Sequence, residues 1–174
     1  MELSRKPNPL LPDTSPDAGS TPIELLEAAY AHELRYRRPL IQGNTLTIAI
    51  SQSGETADTL AAAGLAKSLD SRLLALTNVV GSTLSREADD ILYTRAGPEI
   101  AVASTKAYLT MLLGEYLLAL AIGRERGVIP ADVDDELVKG LRGLPTKIGD
   151  ALKGEQDVIT LADRFVGHED VYFI

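Results

Sequence analysis

An apolar, β-prone run, Leu46-Thr47-Ile48-Ala49-Ile50, leads without interruption into Ser51-Gln52-Ser53-Gly54-Glu55-Thr56. The following stretch to Leu69 then carries Leu60, Ala63, Leu65, Ala66 and Leu69 at helical spacing. A strand that empties through a polar loop into a helix is the opening of a βαβ unit. The pattern continues with strand-like segments at Arg72–Thr77 and Asp90–Thr94. Short apolar strands alternating with helices predict an α/β fold, a three-layer parallel sheet with helices on both faces. Right-handed crossovers place those helices, and ligands of such sheets gather beyond the carboxyl ends of the strands.

Further helices are expected at Ile23–Glu33, from about Ser104 to Arg126, from Pro130 onward, and at Lys153–Phe165. The long one carries Leu109, Leu112, Leu113, Tyr116, Leu117, Leu120 and Ala121, a stripe wide enough for deep burial or a subunit contact. It predicts a helix-mediated homodimer. The run Val171-Tyr172-Phe173-Ile174 reads as a strand. Residues 1–22 hold five of the nine prolines and few apolar residues, so they are expected to be disordered, with a folded domain over 23–174.

The loop itself carries the chemistry. Ser51, Ser53 and Thr56 supply three hydroxyls, each able to donate and accept. Gly54 permits a close backbone approach or a positive φ. The N–H groups of the first helical turn face the same space, where the helix dipole favours an anion. Together these form a cradle for phosphate, with Gln52 able to reach a sugar hydroxyl or carbonyl. Serine and threonine are also favoured helix caps and Ser-Gly is ordinary turn sequence, so composition alone balances the two readings. The position after an apolar strand favours function.

Charge narrows the partners. The formal net charge is -8, and the basic residues form no cluster beyond Arg35-Tyr36-Arg37-Arg38, which argues against nucleic acid. The absence of cysteine removes disulfides, thiolate nucleophiles and thiolate metal sites. No cofactor and no metal are implied: the acidic runs around Asp132–Glu136 and Glu155–Asp157 lack ligand spacing and read as solvated helix faces. No signal-like or membrane-spanning stretch is expected, which points to a cytoplasmic protein.

The segment Thr45–Leu60, with Ser51-Gln52-Ser53-Gly54-Glu55-Thr56 at its centre, resembles the sugar isomerase (SIS) domain. Leu76-Thr77-Asn78-Val79-Val80-Gly81-Ser82 is similar to that domain's next strand and turn. Ala96-Gly97-Pro98-Glu99-Ile100-Ala101-Val102-Ala103-Ser104-Thr105-Lys106 resembles the segment that opens its long helix in the glucosamine-6-phosphate synthase family. The resemblance runs from about Glu33 to the end and implies a flavodoxin-like fold that binds fructose 6-phosphate or glucosamine 6-phosphate. It implies that Ser51, Gln52, Ser53, Gly54 and Thr56 hold the phosphate and sugar, while Val102, through its backbone, and Ser104 approach from the opposite side. Ser104 and Thr105 equally suit a helix cap, and Lys106 a solvated cation.

The family joins a glutamine-hydrolysing domain to two SIS domains. By that comparison, the glutaminase, the second SIS domain and the opening strand of the first SIS domain have no counterpart here. No catalytic residue is expected. His32 and His168 sit in polar sequence, and Glu55 reads as a capping or orienting group rather than a proton carrier. Two readings follow: part of an amino-sugar synthase, inactive alone, or a non-catalytic phosphosugar-sensing module. Either leaves room for a partner chain that supplies the missing parts, and Val171–Ile174 is a candidate for the open slot in the sheet.

Overall fold

The computed structural model describes residues 28–37, 39–41, 43–101 and 104–170. The Pro-rich segment, the first residues of the Ile23–Glu33 helix, Val102 and the terminal Val171–Ile174 run lie outside these. Three strands, β1 (Leu46–Ser51), β2 (Arg72–Thr77) and β3 (Asp90–Tyr93), form a parallel sheet in the order β1-β2-β3. The register pairs Ala49 with Ala75 and Leu76 with Leu92.

Helix α1 covers only Ala31–Leu34. Tyr30, expected inside a longer helix, is extended at ψ 136° and caps nothing, so residues 28–30 are not helical. A single turn without a cap has little of its own to hold it, and α1 instead lies against α2 (Ala57–Ser68). Helix α3 (Thr83–Glu87) is a short element absent from the sequence reading; Ser82 caps it, accepting from the Ser85 N–H at 3.4 Å. Helices α4 (Lys106–Glu125), α5 (Ala131–Arg142), α6 (Leu144–Leu152) and α7 (Glu155–Ala162) follow, and a 3-10 turn closes the series at Asp163–Phe165. The helix expected from Pro130 is therefore two, divided at Gly143 with Pro145 in the first turn of α6.

Alternation along the strands sorts the two faces. Ala49, Leu73 and Ala75 face α2 and α3, forming a buried cluster with Ala63 and Leu84. Small residues on α2 (Ala62, Ala63 and Ala66, all buried) let the helix lie close to the sheet. On the other face Leu76, fully buried, meets α4 at Gly114, where an added Cβ would come within 2.8 Å of a Leu76 methyl. The resulting order is α2 and α3, sheet, α4, the three layers that the sequence predicts.

Two features of α4 bear on the sequence expectations. Its buried positions are Ala107, Gly114, Leu120 and Gly123, whereas Leu109, Tyr116 and Leu117 are about half exposed. A helix resting on a sheet presents small residues to it, so Leu109, Tyr116 and Leu117 are left outward while Leu112 and Leu113 are half-buried. At 20 residues and a mean hydropathy of 1.3, α4 is also long and apolar enough to cross a membrane by length and composition, contrary to the sequence reading. Its Gly114 contact with Leu76 makes it a helix packed on the sheet.

Candidate functional site at the carboxyl edge of the sheet

The two ends of the sheet are chemically unlike. At the amino edge, Arg72 forks onto Asp90 at 2.6 and 3.2 Å, while Asp89 accepts from the Leu73 N–H at 2.8 Å and pairs with Lys67 at 3.1 Å. These charges are consumed among themselves. The carboxyl edge instead carries Ser51, Ser53, Thr56, Thr77, Asn78 and Ser82, and three helices begin there, one after each strand.

The loop after β1 is tightly determined. Ser51 is buried, its Oγ accepting from the Gly54 N–H at 3.1 Å and lying 3.3 Å from the Thr56 hydroxyl. Ser53 Oγ accepts from the Glu55 N–H at 3.1 Å. Gly54 has φ +64°, and a Cβ there would collide with the Ser82 side chain and stand 3.0 Å from Thr77 Oγ1. Glycine is required twice, by conformation and by space. The Gly54 carbonyl accepts from the Leu84 N–H at 3.0 Å, and the Gln52 carbonyl from the Asn78 N–H at 3.2 Å. The loop is thus held against the β2–α3 turn by its backbone.

Helix starts differ in how their N–H groups are met. For α3, Glu55 accepts from the Thr83 N–H at 2.7 Å and Ser82 supplies the cap. For α4, Glu99 accepts from the N–H groups of Thr105 and Ala107, each at 3.0 Å, and from the Thr105 hydroxyl at 3.1 Å. At α2 the capping position is Thr56, and it makes no side-chain cap bond. Of the three, α2 alone has a start that no side chain among the described residues fills, next to the hydroxyls of the preceding loop. That is where an anion gains most from the dipole and from N–H donors.

Both glutamates are held as carboxylates. The Thr83 backbone N–H is the largest influence drawing Glu55 below its ordinary pKa, and the Ala107 N–H does the same for Glu99. Glu55, read as a capping or orienting group, caps α3 rather than α2, the helix it directly precedes. An acceptor already engaged by backbone donors is poorly suited to carry protons between carbons.

The second wall is the segment between β3 and α4. Asn78, which the sequence reading passed over, secures it: its amide donates to the Gly97 carbonyl at 2.8 Å, and its carbonyl accepts from Thr94 Oγ1 at 3.0 Å and the Ala96 N–H at 2.9 Å. Its place just beyond the end of β2 was the available signal. Ser104 adopts φ 56°, a left-handed conformation unusual for serine, and its buried hydroxyl has no hydrogen-bond partner among the described residues. The actual cap position of α4 is Thr105, so Ser104 is not the helix cap. Lys106 is exposed. His32 stacks on Tyr30 at 5.7 Å and His168 lies against Phe165 at 6.3 Å, each outside the two walls of the site. Among the described residues no group of three or more His, Asp or Glu side chains could hold a metal ion.

Residues 25–121 match the model of the SIS domain. The glutamine–fructose-6-phosphate aminotransferase (isomerizing) of Symbiobacterium thermophilum is 54% identical over 144 residues, 83% of this chain and 24% of the relative. That of Clostridium tetani is 49% identical over 149 residues, 86% of this chain and again 24% of the relative. The chain therefore spans about a quarter of the length of these curated relatives. Among solved structures, the C-terminal domain of glucosamine-fructose-6-phosphate aminotransferase from Francisella tularensis superposes with a TM-score of 0.73 at 33% identity, covering 80% of this chain and 39% of that one. With the family model matching more than half of the chain and the three-layer parallel fold in place, this chain belongs to the SIS domain family.

Proposed function

We propose that the chain binds a phosphosugar of the fructose 6-phosphate and glucosamine 6-phosphate class, as part of the isomerase portion of an amino-sugar synthase. The observation that carries this reading is the open start of α2, set among the hydroxyls of Ser51, Ser53 and Thr56, while both neighbouring helix starts are filled by glutamates. The phosphate sits at that start with the Gly54 turn beneath it, and Gln52 reaches the sugar. Ser104, in a left-handed conformation and with a hydroxyl that has no partner among the described residues, serves the sugar from the opposite wall. The names of the curated relatives, which act on fructose 6-phosphate, support the substrate class.

Isomerising a ketose phosphate needs ring opening and proton transfer between adjacent carbons. Glu55 and Glu99 are committed to backbone donors, so in this reading the chain binds and orients while other parts of the enzyme transfer protons. A cytoplasmic setting accompanies that metabolism. The outward apolar side chains of α4, Leu109, Tyr116 and Leu117, are the surface we assign to a second protomer or partner chain. Light scattering across a tenfold dilution tests the dimer, and a monomer mass throughout refutes it.

Isothermal titration of the folded chain with fructose 6-phosphate and glucosamine 6-phosphate, against inorganic phosphate, tests the main reading. Sugar phosphates binding at least about tenfold tighter than phosphate, or about 1.4 kcal/mol, support it. Equal affinity for all three would reduce the site to a general anion cradle.

A further inference from the structure

A site for an anion that contains two carboxylates at its edge needs an explanation, because each would repel phosphate if left free. Neither is free. Glu99 lies across the start of α4, a 20-residue helix whose N-terminus would otherwise offer phosphate the same N–H donors and the same dipole as the start of α2. Glu55 occupies the corresponding place on α3. Asn78 then ties the two walls to a single point at the end of β2, through the Gln52 carbonyl on one side and the Gly97 carbonyl on the other.

We infer that Glu99 is an orienting residue for specificity: a resident anion that closes the α4 start to phosphate, so that a phosphosugar enters with its phosphate on α2 and its sugar toward Ser104. The inference rests on the phosphosugar reading for its sugar end, and on the helix-start geometry alone for its phosphate end. Its action is through geometry rather than charge. A neutral acceptor of the same shape fills the same N–H groups, whereas removing the side chain opens a second phosphate position that turns the ligand round or competes with it.

The test follows backbone amide NMR shifts in the full chain during titration with inorganic phosphate and, separately, with fructose 6-phosphate. In the wild type, phosphate shifts amides of the Ser53–Asp58 region and leaves Thr105 and Ala107 unmoved. In Glu99→Ala, phosphate shifts Thr105 and Ala107 as well, and fructose 6-phosphate binds about tenfold more weakly. Glu99→Gln restores the wild-type pattern with affinity within about threefold, a rescue that a proton-transferring carboxylate would not permit. Should Glu99→Ala fail to fold, Glu99→Asp, one methylene shorter, shows the same shifts at higher phosphate concentration. Wild-type and alanine variants with identical phosphate shifts and identical affinity would overturn the inference, and so would a glutamine variant as impaired as alanine. A wild type that binds no fructose 6-phosphate would end the proposed function, while phosphate appearing at Thr105 only in the alanine variant would still uphold the role of Glu99.

Discussion

The sheet region and the helices that follow it use apolar residues in opposite ways. From β1 to α4, modest side chains are buried from two faces: Leu73, Ala75, Leu76 and Leu84 are wholly inaccessible. From α5 to the closing 3-10 turn no residue is buried, although the helices are well patterned and carry Leu137, Ile148, Leu152, Val158, Leu161 and Phe165. Helix α5 is tethered to α4 by the Arg124–Asp134 fork at 2.7 and 2.9 Å, and shares with it a groove lined by Tyr116, Leu120, Leu137 and Leu141. Patterning thus creates an apolar stripe, but burial requires a second surface to lay it on. The site sits wholly on the region that has such a surface.

The largest expected effect separates the two regions directly. Leu76→Ala removes a fully buried side chain and should cost about 2–5 kcal/mol in urea unfolding, whereas Leu152→Ala should stay within about 0.5 kcal/mol. Similar losses at both positions would mean that the helical region has its own core. Next, Gly54→Ala should destabilise the fold by about 1–3 kcal/mol, through a positive φ and a collision with Ser82, and should weaken phosphosugar binding as well. A variant with unchanged melting and affinity would show that the loop can relax away from Ser82.

Ser53→Ala should leave stability within about 0.5 kcal/mol yet weaken phosphosugar binding by about 1–3 kcal/mol in calorimetry. Unchanged affinity would move the phosphate elsewhere.

Acid should also act unequally. The folded pKa values of Glu55, Asp89, Asp90 and Glu99 are depressed by their hydrogen bonds, so their contribution is full above the unfolded carboxylate range and is lost as pH falls through the folded values. Below about pH 4 the sheet region should lose stability, with Asp134 the corresponding group at the α4–α5 contact. Melting temperature unchanged between pH 6 and pH 3 would contradict this. The smallest effect is Arg124→Ala, which removes a surface ion pair half exposed on one side. It should speed amide exchange in α5 and leave β2 untouched.

The strand positions, α2 and the loop were legible because their signals are local. A short β-prone run, a polar turn with glycine and a 3.6-residue stripe each occupy a few consecutive positions. Helix α3 escaped because five residues are too few to show a period; only Ser82 hinted at it. The division at Gly143 escaped because the apolar stripe continues across it from α5 into α6. The sequence left the stripe of α4 open to deep burial or a subunit contact, because hydrophobicity alone ranks Leu109 above Gly114, whereas the sheet selects the small residues.

By itself the sequence determined the alternation of strands and helices, the parallel three-layer arrangement and the place where hydroxyls and a helix start converge. Those properties depend on the order of residues along a few turns of chain. Tertiary structure decided which helix start stays open, because the partners of Thr83, Thr105 and Ala107 are carboxylates brought back by turns at Gly54 and in the segment before α4. It also decided that Glu55 and Glu99 serve as fixed acceptors. A side chain's chemical role is set by the donors that reach it, and those are known only once the chain has folded.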